Sequence, residues 1–223
     1  MDNYQQHDDK QMLNHDKSWF RFSLYMAFLL CLLPFLTFVF EDNLPWLTGV
    51  YPLTVAGLRG LLTAPLVHSD WVHLGGNVSA LFILFIVIFN NYRPMALTVL
   101  VLSYVIPSAW LWLFARPAWH IGASGIVYAL ASFVFFTGVL LSQTRLVALS
   151  LFVVFMYGSI FWGIFPIDPE VSWEGHLSGF ILGLVLAVYY RKDLRIMYPV
   201  KKYFEDETLD DDNNVEEDGD ESQ

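Results

Sequence analysis

Charged residues are so widely spaced between Phe22 and Tyr190 that the chain divides into six uncharged windows: Phe22 to Phe40, Trp71 to Tyr92, Pro94 to Ala115, Pro117 to Thr144, Leu146 to Ile167 and Gly175 to Tyr190. A helix needs about 20 largely apolar residues to cross the hydrocarbon core of a bilayer, and a spanning segment must satisfy its own backbone N–H and C=O groups. The windows therefore predict an all-α, polytopic membrane protein with six transmembrane helices, the last being the shortest. Composition agrees, since 56% of residues are hydrophobic and only 15% charged, which is outside the range of soluble domains. No small-x-small cleavage site follows the first window before Glu41 and Asp42, so it is read as a retained helix.

The stretch Asn43 to Leu58 is also uncharged, but it is short and carries Pro45, Gly49, Pro52 and Gly57. It is expected to be interfacial or re-entrant. Charge asymmetry supports that choice. With six spans and the N terminus inside, Lys10, Lys17, Arg21, Arg93, Arg145, Arg191, Lys192, Arg195, Lys201 and Lys202 are cytoplasmic, and only Arg59 and Arg116 lie outside. A seventh span over Asn43 to Val67 would move Arg93, Arg145 and the basic cluster after the last helix to the outer face. The expected organisation is a polar cytoplasmic tail over residues 1–18, one six-helix domain over 19–195, and an acidic, disordered cytoplasmic tail over 196–223. The net charge of −10 says little about partners, because half the acidic residues fall between Glu205 and Glu221. The single Cys31 excludes an intrachain disulfide.

In this topology the second, fourth and sixth spans run in the same direction, and each begins near a polar group. His73 and Asn77 fall in the first turns of the second span, Ser124 opens the regular part of the fourth, and His176 opens the sixth. At 1.5 Å per residue they share a depth of roughly 5 to 10 Å below the outer interface. Small residues allow close approach: His176, Gly179 and Gly183 share one helix face, and Gly122, Gly125 and Ala129 form the small-xxx-small pattern of tightly packed membrane helices. Tyr128 lies one turn below Ser124, where its ring supports either the imidazole or plain packing. Taken alone, Gly-Ala-Ser-Gly reads as a packing motif, and one intramembrane histidine as readily as a structural hydrogen bond. Three helices presenting complementary groups at one depth favour chemistry.

These residues resemble the rhomboid intramembrane serine proteases. The resemblance covers roughly Leu58 to Tyr190: Leu58-Arg59 in the first outer loop, His68 and His73 five apart, the His73-x-x-x-Asn77 pair, Gly122-Ala123-Ser124-Gly125 followed by Tyr128, and Gly175-His176-x-x-Gly179-x-x-x-Gly183. One departure is Leu58, where family members often carry tryptophan. The resemblance implies a rhomboid-like bundle with a serine–histidine dyad, Ser124 as nucleophile and His176 as general base. It assigns His73, Asn77 and the Ser124 backbone N–H to an oxyanion hole. Tyr128, Gly122, Gly125, Gly179 and Gly183 are supporting residues, and Arg59 and His68 brace the outer loop. Glu174, two residues before His176, points to another side of the helix and cannot orient the imidazole. Asp70 and Asp168 belong to outer loops, so no third member is expected.

The implied activity is hydrolysis of a peptide bond in a transmembrane segment of another protein, at segments with helix-breaking residues. The segment Pro166 to Trp173 or the fifth helix gates the site. The expected partners are transmembrane protein substrates and the lipid bilayer, with no cofactor, metal or nucleic acid, and the expected location is a bacterial plasma membrane. Two other readings compete. One is a catalytically inactive relative that binds transmembrane helices, and the other is a metal-binding channel or transporter using His68, His73, His120 and His176. Deleting the acidic tail after Tyr203 is expected to leave proteolysis intact.

Overall fold

The computed structural model describes residues 2–199, so the expectations for the acidic tail beyond them lie outside the described residues. Nine helices occur among these residues: α1 (Asp2–Val39), α2 (Val55–Leu58), α3 (Gly60–Thr63), α4 (Trp71–Asn91), α5 (Ala96–Phe114), α6 (Ser124–Leu141), α7 (Thr144–Tyr157), α8 (Trp173–Tyr189) and α9 (Arg191–Met197). Four of them contain stretches long and apolar enough to cross a membrane: Asp16–Val39, Trp71–Asn91, Ala96–Phe114 and Ser124–Leu141. The shorter apolar helices α7 and α8 complete the helical membrane bundle. As a 14-residue helix, α7 rises only about 21 Å. A 3-10 segment, Gly158–Ile164, carries its path onward.

At both ends the chain is more helical than its charge pattern suggests. The first helix begins at Asp2, well inside the predicted polar tail, and α9 runs to Met197, past the predicted boundary at 195. The uncharged stretch from Asn43 does not span. It folds into short turns that end in α2 and α3, with Thr54 capping α2 by accepting the Gly57 N–H.

The fourth predicted window opens at Pro117, and its regular helix starts at Ser124, as expected. The cause lies in the backbone of His120. Its N–H donates to Val50 O at 2.8 Å and its carbonyl accepts from Val50 N at 2.9 Å, forming an isolated antiparallel bridge. Those groups are satisfied outside any helix, and Gly122 then turns the chain with φ +98°. Few other residues adopt that angle without strain.

The core centres on α6, where Ala129, Leu130, Phe133 and Val134 are fully buried. Within it the Tyr92 hydroxyl donates to Thr137 Oγ1 at 2.8 Å, since the Thr137 hydroxyl itself donates to Val134 O at 2.9 Å. The facing helix is α8, and its approach to α6 is limited by glycines. A Cβ at Gly179 would collide with the Gly125 carbonyl oxygen, and one at Gly183 with Ser132 Oγ and the Ala129 carbonyl. Ser132 Oγ in turn donates to Phe180 O at 2.9 Å. The predicted small-residue contact is therefore present for Gly125, Ala129, Gly179 and Gly183. Gly122 departs from that reading, because it precedes the helix and a Cβ there would meet the His73 ring.

Candidate active site

The close approach of α6 and α8 brings Ser124, the first residue of α6, against His176 in the first turn of α8. His176 Nε2 lies 2.7 Å from Ser124 Oγ. The other ring nitrogen, Nδ1, lies 2.9 Å from the Gly163 carbonyl oxygen. A carbonyl can only accept, so Nδ1 carries the proton and Nε2 is left to accept from the serine hydroxyl. That is the tautomer a general base requires. Tyr128, one turn below Ser124, stacks on the imidazole with centroids 4.2 Å apart and planes inclined by 11°. The ring therefore supports the imidazole as well as filling space.

Across from the dyad, α4 presents His73 and Asn77 on one face. Asp70 caps this helix, its Oδ1 accepting from the N–H groups of Val72 and His73 at 2.8 and 2.9 Å. Those bonds, led by the His73 N–H and joined by the Ser69 hydroxyl, hold the Asp70 carboxyl below the ordinary carboxylate range. The cap fixes where His73 starts. Ser69 Oγ lies 3.2 Å from His73 Nδ1 and 2.7 Å from Asp70 Oδ2. The serine proton goes to Asp70 Oδ2, so the contact with Nδ1 is one in which the ring N–H donates to Ser69 Oγ, and Nε2 faces Gly122, whose missing Cβ leaves room for it. Asn77 is buried, and its Nδ2 has no hydrogen-bond partner among the described residues. Such an unused donor is costly unless something else accepts from it. The N–H of Ser124 belongs to the first turn of α6, where backbone donors lack intrahelical partners. His73 Nε2 and Asn77 Nδ2 both border Gly122, two residues before Ser124.

A small cavity of about 20 Å³ borders Ser124, lined in part by Ser103, Ser108, His120 and Ser172. That volume holds roughly one water molecule.

Glu174 does not reach the imidazole, in line with its predicted direction. It is buried and bonds Arg116 through both carboxylate oxygens at 3.3 Å. Arg116 Nη2 also donates to the carbonyls of Pro169 and Val171 at 2.7 and 2.8 Å. The segment before α8, read from sequence as a possible lid, is thereby tied to the end of α5. His120 adds a second tie, with Nδ1 2.7 Å from Ser172 Oγ and Nε2 3.1 Å from Arg116 O. The four histidines of the metal reading do not converge: His120 and His176 use both ring nitrogens on protein partners. No group of three His, Cys, Asp or Glu that could hold a metal occurs among the described residues.

His68 is buried with its ring edge-on to His73 at 5.0 Å, and burial lowers its pKa to about 4. Arg59 is exposed, and its carbonyl rather than its guanidinium makes the local contacts, accepting from Leu62 N, Thr63 N and Thr63 Oγ1. The Gly163 carbonyl, Ser69 and the Arg116–Glu174 pair are the components that sequence reasoning missed. Only the last had a visible signal, two opposite charges at the same end of the bundle.

The sequence model of the Rhomboid domain matches residues 56–193. Among curated proteins the chain is similar to uncharacterized proteins of mycobacteria. It is 31% identical over 148 residues to Rv1337 of Mycobacterium tuberculosis and to Mb1372 of Mycobacterium bovis, covering 62% of this chain and 62% of each relative. It is 28% identical to ML1171 of Mycobacterium leprae, covering 62% of this chain and 59% of that protein. The match thus spans somewhat under two thirds of the relatives' length.

Proposed function

Because this chain belongs to the rhomboid family, we propose that it is an intramembrane serine endopeptidase that cleaves transmembrane segments of other proteins with a Ser124–His176 dyad. The observation that carries this reading is the 2.7 Å contact between Ser124 Oγ and an imidazole whose Nδ1 already donates to Gly163 O. A merely structural hydrogen bond needs no particular tautomer. A general base does.

In the proposed reaction Ser124 Oγ attacks the scissile carbonyl carbon while its proton passes to His176 Nε2. The carbonyl oxygen becomes the oxyanion, met by N–H donors from Asn77 Nδ2 and the Ser124 backbone and by His73, whose Nε2 donates when the ring carries its second proton. Collapse of the intermediate breaks the C–N bond, and the imidazolium gives its proton to the departing amine. Water then attacks the acyl-serine, its proton goes to Nε2, and the second collapse returns that proton to Oγ. Donors placed before the charge develops contribute most of the rate in such sites, about 2.7 to 4 kcal/mol each when one is removed. A substrate helix must open locally to present its carbonyl, so segments with helix-breaking residues are preferred.

The dyad lies at the end of the bundle away from Arg93, Arg145 and the basic residues of α9. By the positive-inside rule it faces the outer side of a bacterial plasma membrane, with both termini in the cytoplasm. The test is cleavage of a single-span substrate by purified protein in detergent. Wild type cleaves and Ser124→Ala does not. Equal cleavage by both refutes the nucleophile, and no cleavage by wild type of any helix-destabilised substrate favours an inactive, helix-binding relative.

A further inference from the structure

At the end of the bundle opposite Ser124 lies a cavity of about 710 Å³ whose lining includes Lys17 and Arg21 from α1, Arg93 after α4, Arg145 at the start of α7, and Tyr198. The only acidic residue in the lining is Asp16, 3.5 Å from Arg93, which also lies over the Trp19 ring at 4.8 Å. No carboxylate stands within ion-pair distance of Lys17, Arg21 or Arg145 among the described residues. Lys17 and Arg21 are one helical turn apart and share a face. Four cations around one opening, with one counter-charge between them, favour an anionic occupant.

We propose that this cavity is the docking site of the chain's own acidic segment, Glu205 to Glu221. Three observations select it. The segment holds eleven carboxylates and no cation, and only Lys201 and Lys202 precede it after Pro199. The chain leaves the bundle at the rim of the cavity: the Tyr198 hydroxyl donates to Asn91 O at 2.6 Å, and Gln143 Nε2 donates to Pro199 O at 3.3 Å, two residues from Arg145. Reach is sufficient, since the seven residues from Tyr198 to Glu205 extend up to about 23–25 Å at roughly 3.3–3.6 Å each. A short tether also supplies an effective concentration in the millimolar range, so individually weak ion pairs suffice. The proposal concerns binding at the end of the molecule remote from the dyad and stands or falls independently of the protease reading.

The test is carbodiimide coupling, which joins a carboxylate to a lysine amine in direct contact. The full chain is treated in phosphatidylcholine nanodiscs at low salt, and its peptides are mapped by mass spectrometry. The expected result is an amide between Lys17 and the 205–221 segment. It falls at least about tenfold in 1 M KCl, where the Debye length is about 3 Å, and in the Arg21→Gln, Arg145→Gln double variant. Coupling of the segment to exposed Lys192 on α9 is the internal control and changes little with the double variant. The wild-type salt series does not depend on how the variant folds. Coupling to Lys17 no greater than to Lys192, or unaffected by salt and by the double variant, overturns the proposal. Loss of the Lys17 product when phosphatidylglycerol replaces phosphatidylcholine at constant ionic strength overturns it as well, and assigns the cavity to anionic lipid headgroups.

Discussion

Adding one methyl group at Gly179 tests whether the approach of α6 and α8 is what holds the serine hydroxyl on the imidazole. A Cβ there collides with the Gly125 carbonyl oxygen and stands 3.1 Å from the Ala129 nitrogen. Both are backbone atoms, so no rotamer change relieves the contact, and the helices must part by about an ångström to restore van der Waals separation. Overpacking of this kind costs about 1–3 kcal/mol. The larger effect is on chemistry. Gly179 follows His176 by three residues on α8 and Gly125 adjoins Ser124 on α6, so the displacement falls on the 2.7 Å Ser124–His176 contact. A misplacement of that size lowers turnover about a hundredfold. Gly75→Ala is the matched control: it adds the same methyl on α4, where no heavy atom lies within 4 Å. Alanine there is favoured over glycine by about 0.5–1 kcal/mol in a helix interior. The assay is the initial rate of substrate cleavage in detergent, read beside thermal unfolding and fluorophosphonate labelling of Ser124. Turnover by Gly179→Ala within about threefold of wild type, or an equal loss in Gly75→Ala, refutes the argument that helix approach sets the site geometry.

Asn77→Ala removes a buried, otherwise unpartnered donor, and turnover is expected to fall at least about a hundredfold with KM little changed; steady-state kinetics over a range of substrate concentrations measures both. Glu174→Ala leaves the partly buried Arg116 guanidinium without its carboxylate and loosens the segment before α8. A stability loss of about 1–3 kcal/mol is expected in denaturant titration, less for Glu174→Gln, which keeps an acceptor. Burial holds His68 at about 4, below its ordinary 6.5, so the fold resists protonation there. Its contribution to stability is complete above pH 6.5 and is lost as the pH falls toward 4, and His68→Leu is expected to flatten that part of the melting profile against pH.

The parts of the site that follow helical spacing were legible in the sequence. His73 with Asn77, Ser124 with Tyr128, and His176 with Gly179 and Gly183 are each one or two turns apart, and periodicity alone places each set on a common face. The bundle was legible for a similar reason, because gaps between charges mark apolar helices. What escaped was set by partners distant in sequence or by main-chain atoms. The start of the fourth span's helix at Ser124 was expected, but its cause was not: His120 pairs with Val50, seventy residues earlier, and neither residue type advertises that bridge. Gly122 looked like a helix-packing glycine, whereas its positive φ and its contact with His73 belong to the turn before the helix. Arg116 and Glu174 were visible as charges, but their role in tying down the segment before α8 depends on carbonyls at Pro169 and Val171.

The Gly163 carbonyl has a consequence for how this centre is tuned. A third side chain orienting the base could be lost by one substitution; a peptide oxygen is present whatever residue occupies the position. Control of the imidazole therefore passes to the path of the 3-10 segment Gly158–Ile164. In the proposed protease, movement of that turn would change the grip on Nδ1 and with it the proton affinity of Nε2. Base strength then depends on the placement of a single peptide group, which an alanine scan of the chain would leave in place.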